Sequence, residues 1–179
     1  MKYTLAILLA ILAVSAPLSA QATQATLTPS DTVPTVDGAI AASEYQFTTD
    51  VSGMTVGATL GKDGKLYLSI KAQTAGWVAV GVGGMKMDGS RLFLAYDTGD
   101  KQVFNEQLGA GHGHKDRADN VAEKWVVKAA DGYTSLELVL PASAAVADGK
   151  LNLLYAYSGS TSYTFPHKAR GSLTLTIAG

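Results

Sequence analysis

The sequence predicts an all-β protein, an antiparallel β-sandwich of about nine to eleven strands. Three observations carry that expectation. Apolar residues recur at every second position through most of the chain, as they do in strands with one buried face. Turn signals built on glycine and aspartate interrupt this alternation at short intervals. Only "PASAAVADG" at 141–149 has the makings of a helical turn, and no second domain or internal repeat is visible.

In chain order, strands are expected at 54–60, 65–72, 76–83, 90–97, 102–108, 123–129, 133–140, 151–157 and 172–178. In the second, Leu66, Leu68 and Ile70 alternate with Tyr67, Ser69 and Lys71; in the third, Val78, Val80 and Val82 alternate with Trp77, Ala79 and Gly81. Leu136, Leu138 and Leu140, then Leu151, Leu153, Tyr155 and Tyr157, repeat the pattern, and Leu173, Leu175 and Ile177 close it against Thr174 and Thr176. "GKDGK" (61–65), Gly99-Asp100 and "ADGY" (130–133) read as hairpin turns. Two longer segments break the rhythm: "GAGHGHKDRADN" (109–120) and "SGSTSYTFPHKARG" (158–171). Long loops on a rigid sandwich are where sites tend to be placed.

The amino terminus reads as a secretory signal peptide, residues 1–22. Lys2 precedes the unbroken apolar run "LAILLAILAV" (5–14), and Ala20-Gln21-Ala22 fits the small-residue cleavage rule. The run is too short to span a bilayer, so no stable membrane anchor is expected after cleavage. The mature protein is expected in the periplasm or outside the cell. Residues 23–35, rich in Thr and Pro, read as a loose leader, and 36–179 as a single domain with room for a real core. Losing Lys2 takes the formal net charge from −1 to −2, and no basic run suggests a nucleic-acid partner. The chain has no cysteine, which excludes disulfides, thiolate metal sites, iron–sulfur clusters and covalent C-x-x-C-H haem attachment.

The chemistry centres on "GWVAVGVGGMKMDGSRLFLAYD" (76–97), two strands joined by a polar loop that carries Met85 and Met87. Methionine is an apolar gap-filler, so in such a loop its sulfur invites a task. Met54, by contrast, opens a strand and reads as core. A thioether suits soft or low-charge metals, and imidazole suits iron, copper and zinc. The histidines are His112, His114 and His167, all in the two long loops. A methionine and a histidine on haem iron leave no open position, so such a site shuttles electrons. In an extended segment residues 85 and 87 point the same way, and spacing does not choose between them. His167 follows Pro166, with Tyr163 and Phe165 before it as walls for a porphyrin, and Lys168 and Arg170 beyond it for propionates. The H-x-H pair of His112 and His114 has its own reading as a copper or zinc site.

The stretch 76–97 together with "SYTFPHKARGSLTLTI" (162–177) resembles the DOMON family, in its haem-binding cytochrome branch. "VDGAIAASEYQF" (36–47) resembles the opening of its bacterial members, so the likeness spans about residues 36–178. The resemblance implies an immunoglobulin-like sandwich and a non-covalent haem b ligated by one methionine and one histidine. Carried over, these are Met87, three residues before Ser90, and His167, with Trp77, Tyr163 and Phe165 as pocket walls. It implies a carrier of single electrons rather than a catalyst, with a redox partner protein that the sequence does not identify. Two rivals stand beside this. One is a haem-free carbohydrate-binding module using Trp77 and tyrosines as stacking platforms. The other is an exported copper-binding protein using His112, His114 and a methionine.

One expectation conflicts with the strand order. Strict alternation puts the methionine loop and the His167 loop at opposite ends of the sandwich, with His112 and His114 beside Met87. Bringing Met87 and His167 together then calls for one more strand, for instance within 160–165, or one connection that does not reverse direction.

Overall fold

A computed structural model of the chain describes residues 25–41 and 43–178. The expected signal peptide lies outside these residues. Among the described residues thirteen strands run in chain order: β1 (Thr26–Leu27), β2 (Phe47–Val51), β3 (Met54–Leu60), β4 (Lys65–Ala72), β5 (Val78–Val82), β6 (Arg91–Asp97) and β7 (Gln102–Ala110). They continue with β8 (Gly113–Asp116), β9 (Lys124–Ala130), β10 (Tyr133–Pro141), β11 (Val146–Ala147), β12 (Lys150–Tyr157) and β13 (Ala169–Ile177). The helical turn expected within 141–149 is a single 3-10 turn, Ala142–Ala144.

The strands form two layers. The larger sheet has the order β1-β13-β12-β5-β6-β7-β8, with β11 paired to β12; the smaller has the order β2-β3-β4-β10-β9. All pairs are antiparallel except β1 with β13. The all-β sandwich is therefore as expected, with more strands than nine to eleven. The four beyond the nine ranges read from the sequence are short or polar: β1 and β11 have two residues each, β8 is "GHKD" and β2 is "FTTDV". Segments so short hold no period for alternation to reveal.

Hairpin geometry follows turn chemistry. Ser52-Gly53, Asp131-Gly132 and Asp148-Gly149 each join two strands with both residues at positive φ. That pairing matches the right-handed twist of the flanking strands, and glycine adopts it at little cost. Between the sheets lies one core in which Val56, Leu66, Leu68, Ile70, Phe93, Leu136, Leu138, Leu140, Leu151 and Leu153 are fully buried. Met54, 2% exposed, belongs to it as expected.

From residue 25 on, the segment expected to be a loose leader is instead part of the sandwich. Leu27 is buried in the core, Thr26 and Leu27 pair with Thr176 and Ile177, and Ser30 bridges Gly61. Threonine and proline content pointed to a linker because composition does not register one well-placed leucine and an open strand edge.

The next stretch, "VDGAIAASEYQF", is pinned across the smaller sheet by one buried carboxyl group. Glu137 accepts hydrogen bonds from the Tyr45 hydroxyl (2.6 Å), Gly38 N (2.6 Å) and Asp37 N (3.1 Å). Glu44 holds the same segment from the outside, accepting from Thr35 N and Ala41 N. A second buried carboxyl closes the open end of the core. The Glu106 side chain, 1% exposed, accepts from Arg91 Nη1 (2.8 Å), Val121 N and Ala122 N. This fastens the return from β8 to β9. At its surface Asp119 bonds Arg117, whose guanidinium holds the carboxyl well below the usual carboxylate range.

Burial, and then the bond to Glu137, push the Tyr45 hydroxyl far above its ordinary value. The folded protein therefore keeps this proton at pH values where the unfolded chain releases it. Stability from Tyr45 is complete below about pH 10 and declines as pH rises beyond it. Tyr45→Phe should lower stability near neutral pH by about 1–3 kcal/mol, since Glu137 loses a buried donor. Between pH 10 and 11 the variant should lose up to about 1.4 kcal/mol less per pH unit than wild type. Urea melts across that range check both, and parallel pH slopes would show that Tyr45 is not what titrates.

Candidate functional site

The centre of the larger sheet is apolar on both faces. Toward the core, β5 sends Val78, Val80 and Val82, β6 sends Phe93 and Ala95, and β12 sends Leu151, Leu153 and Tyr155. The opposite face presents Ala79, Leu92, Leu94, Leu154 and Ala156, which with Trp77, Met87, Tyr96 and Tyr163 form a second apolar cluster. The register sets two rows across β12, β5 and β6: Leu154–Gly81–Leu92 and Ala156–Ala79–Leu94. The middle strand contributes only glycine and alanine, so the sheet is shallow along β5 and raised beside it. A groove of about 1020 Å³ lies over this floor. That is at the upper end of the range of about 300–1,000 Å³ for small-molecule and cofactor sites.

Two loops close the ends of the groove, and each is held by backbone. The methionine loop follows β5. Ser90 N donates to Met87 O (3.0 Å) and Ser90 Oγ to Lys86 O (2.5 Å), forming a tight turn. The turn rests on β7, where Gly89 N donates to Gly109 O (3.0 Å) and Gly109 N to Ser90 O (2.9 Å). Gly109 has to be glycine, because a Cβ there would collide with the Met87 carbonyl. The β7–β8 hairpin then folds toward the loop, with Gly111 N donating to Asp88 Oδ1 (2.7 Å).

At the other end, the loop between β12 and β13 is strapped to the residues before β5. Trp77 N donates to Ser160 O (3.0 Å), Ser158 N to Trp77 O (2.9 Å), and Thr74 Oγ1 to Ser158 O (2.5 Å). Gly76 lets the two backbones meet, since a Cβ there would stand 2.5 Å from Ser160 N. Ser158 Oγ donates to Pro166 O (3.0 Å), and Lys168 N to Tyr157 O (2.7 Å). Tyr163 leans inward, its hydroxyl donating to Leu94 O (3.1 Å) and its ring edge-on to Tyr96. Burial pushes that hydroxyl well above the usual tyrosine range, so it remains a donor.

All eight residues expected at the site line this one groove: Trp77, Met85, Met87, His112, His114, Tyr163, Phe165 and His167. They are not equivalent. Met87 is half-buried and packs on the floor cluster, whereas Met85 is 47% exposed with Sδ 3.2 Å from Thr174 Oγ1 on β13, a hydroxyl that donates to Asn152 Oδ1 (2.7 Å). The premise of an extended segment fails here. The loop is a series of bends and a turn, which sends Met85 toward β13 and Met87 toward β7. Trp77 is 4% exposed, with Nε1 donating to Ser162 O (3.1 Å). It is a wall under the loop and does not serve as an exposed stacking platform. Phe165, 57% exposed, stands at the rim. His167 is half-buried and takes a hydrogen bond from Arg170 Nη1 at 3.1 Å, in which Nε2 is the acceptor because guanidinium only donates. Arg170 lines the groove, while the Lys168 side chain lies against Gly159.

The conflict in strand order resolves without an added strand. β5 and β12 are antiparallel neighbours, with Val82 opposite Leu153 and Val78 opposite Tyr157. The methionine loop therefore leaves one end of the pair and the His167 loop the other, and residues 160–165 hold no strand. Both loops bend over the outer face, so Met87 and His167 border the same cavity from its two ends. His112 and His114 lie at the methionine end, as strict alternation implied.

The floor residues went unread in the sequence. Their signal was available: "VAVGV" and "LFLAY" are apolar at consecutive positions, which marks strands covered on both faces. Removing the seat of the methionine loop tests the geometry. Gly109→Ala should cost about 1–3 kcal/mol in urea denaturation, the ordinary penalty for overpacking. Wild-type stability would mean that the Met87 backbone does not rest there.

No protein-family model matches the sequence. No curated protein sequence matches it either. Among solved structures, the chain is similar to the cytochrome domain of Myriococcum thermophilum cellobiose dehydrogenase, with a TM-score of 0.57 and 13% identity over 83% of this chain and 90% of that one. It is also similar to the cytochrome b domain of pyranose dehydrogenase from Coprinopsis cinerea, with a TM-score of 0.53 and 10% identity over 69% of this chain and 76% of that one. The fold of this chain is the β-sandwich that these cytochrome domains adopt.

Proposed function

We propose that this chain is an exported b-type cytochrome domain that carries single electrons on a non-covalently held haem, with Met87 and His167 as the axial ligands. The observation that carries the reading is the placement of a half-buried thioether and a half-buried imidazole at opposite ends of one apolar groove. Met87 and His167 would hold such a group between them, each presented by a loop that leaves the opposite end of the β5–β12 pair. The likeness in fold to two cytochrome domains supports the same reading.

The residues present suit such a group. Leu92, Leu94, Leu154, Ala156 and Ala79 offer an apolar floor, and Trp77 and Tyr163 offer aromatic walls fixed by their own hydrogen bonds. Arg170 is a groove-lining cation suited to the anionic edge of the cofactor; its hydrogen bond to His167 Nε2 uses the ring's one lone pair and would have to give way for His167 to ligate. Haem held by methionine and histidine supplies reversible one-electron chemistry with no free coordination position. The chain's own task is to keep both donors in place and water out of the floor. Export rests on the signal-like amino terminus. Among the described residues no helix is long and apolar enough to cross a membrane. The acceptor and donor of electrons are a partner protein of unassigned identity. The carbohydrate reading loses its principal platform, since Trp77 is covered.

The experiment is an absorption spectrum of the protein expressed with ample haem. A red product with sharp, split visible bands on reduction is the expected result. Met87→Ala and His167→Ala should each abolish that low-spin spectrum, and Met85→Ala should leave it. A colourless product would overturn the function, and equal effects of the two methionine variants would overturn the ligand.

A further inference from the structure

The geometry points to a second ligand at the methionine end of the groove: a Cu(I) ion held by Met87, His114 and His112. The M-x-M loop and the H-x-H hairpin are distant in sequence, yet three hydrogen bonds lock them together. These are Gly111 N to Asp88 Oδ1, Gly89 N to Gly109 O and Gly109 N to Ser90 O. The register places His114 directly opposite Gly109. Side chains of directly opposed residues rise from the same face, with Cβ atoms about 4.5–5.5 Å apart. On that face the Met87 carbonyl occupies the place that a Gly109 side chain would take, and the Met87 Cγ lies 3.1 Å from the Cβ position. The Met87 side chain and His114 therefore rise from the same patch of the β7–β8 hairpin, and both line the groove. His112, two residues before it at the hairpin turn, lines the same end of the groove.

The remaining donors choose the metal. The nearby carboxylates are engaged, Asp88 by Gly111 N and Asp116 by Gln107 Nε2 (2.7 Å). Among the described residues no three of His, Cys, Asp and Glu gather into a metal site, so the third protein donor available beside the two imidazoles is the Met87 sulfur. Thioether with imidazole favours Cu(I) over zinc or the hard divalent ions. Met87 is also the proposed haem ligand, so copper and haem compete for one sulfur atom. The copper site itself does not depend on the haem reading.

The test is an anaerobic Cu(I) titration of the full mature chain against a chromophoric Cu(I) chelator, with Zn(II) in parallel and circular dichroism to confirm folding. Haem-free wild type should bind one Cu(I) and prefer it to Zn(II). His114→Ala and Met87→Leu should each weaken Cu(I) binding by about a hundredfold or more, because ligand loss exceeds the 10–100-fold typical of supporting groups. His167→Ala should bind Cu(I) like wild type. Wild-type affinity in folded His114→Ala or Met87→Leu, or Zn(II) binding as tight as Cu(I), would each overturn the proposal. A protein that takes Cu(I) but no haem would leave this site standing and remove the cytochrome function.

Discussion

Three strands, β5, β6 and β12, have to be apolar on both faces, and the rest of the architecture answers to that constraint. One face is covered by the smaller sheet, which forms the core. The other faces away from it, and water beside Leu92, Leu94 and Leu154 is unfavourable by roughly 25 cal/mol per Å² of apolar surface left open. The chain covers that face with loops rather than a third layer. Loops folded over a sheet leave a cavity because their backbone has to keep its own polar groups paired. The groove is thus the consequence of a doubly apolar sheet with only one sheet packed against it.

Loops are dependable walls only if they are held, and here small residues hold them. Gly109 lets the Met87 carbonyl settle onto β7, and Gly76 lets the 158–168 segment meet the chain before β5. Each close approach is then secured by backbone hydrogen bonds. Met87 and His167 are presented from fixed platforms in consequence. Met85, two residues from Met87, has no comparable seat and is left at the groove mouth with only Thr174 to steady it. The difference between the two methionines lies in what their backbones rest upon.

The buried carboxyl groups do related work away from the groove. Glu137 gathers the entry segment onto the smaller sheet, and Glu106 ties the return after β8 to the mouth of the core. Both accept hydrogen bonds from backbone N–H groups that loops would otherwise leave buried without partners. A sandwich without disulfides can in this way carry long crossings that stay in place.

The sequence by itself determined nine of the thirteen strands described and most of their boundaries, because a half-buried strand writes its geometry as strict alternation. It also determined which residues had chemistry to offer, since methionines and histidines in polar loops stand out against an apolar alternation. Tertiary structure alone decided what those residues do together. Whether Met87 and His167 border one cavity depends on how two loops bend after leaving opposite ends of β5 and β12, and no local pattern encodes that bend. The register that sets His114 opposite Gly109, and the seat of the Met87 carbonyl over that glycine, depend on hairpin pairing and on the absence of one side chain. Leu27, read as leader and found in the core, makes the same point: a parallel pairing across the whole length of the chain has no signature in the residues near it. Alternation is a property of neighbours in sequence, whereas a site is a property of neighbours in space.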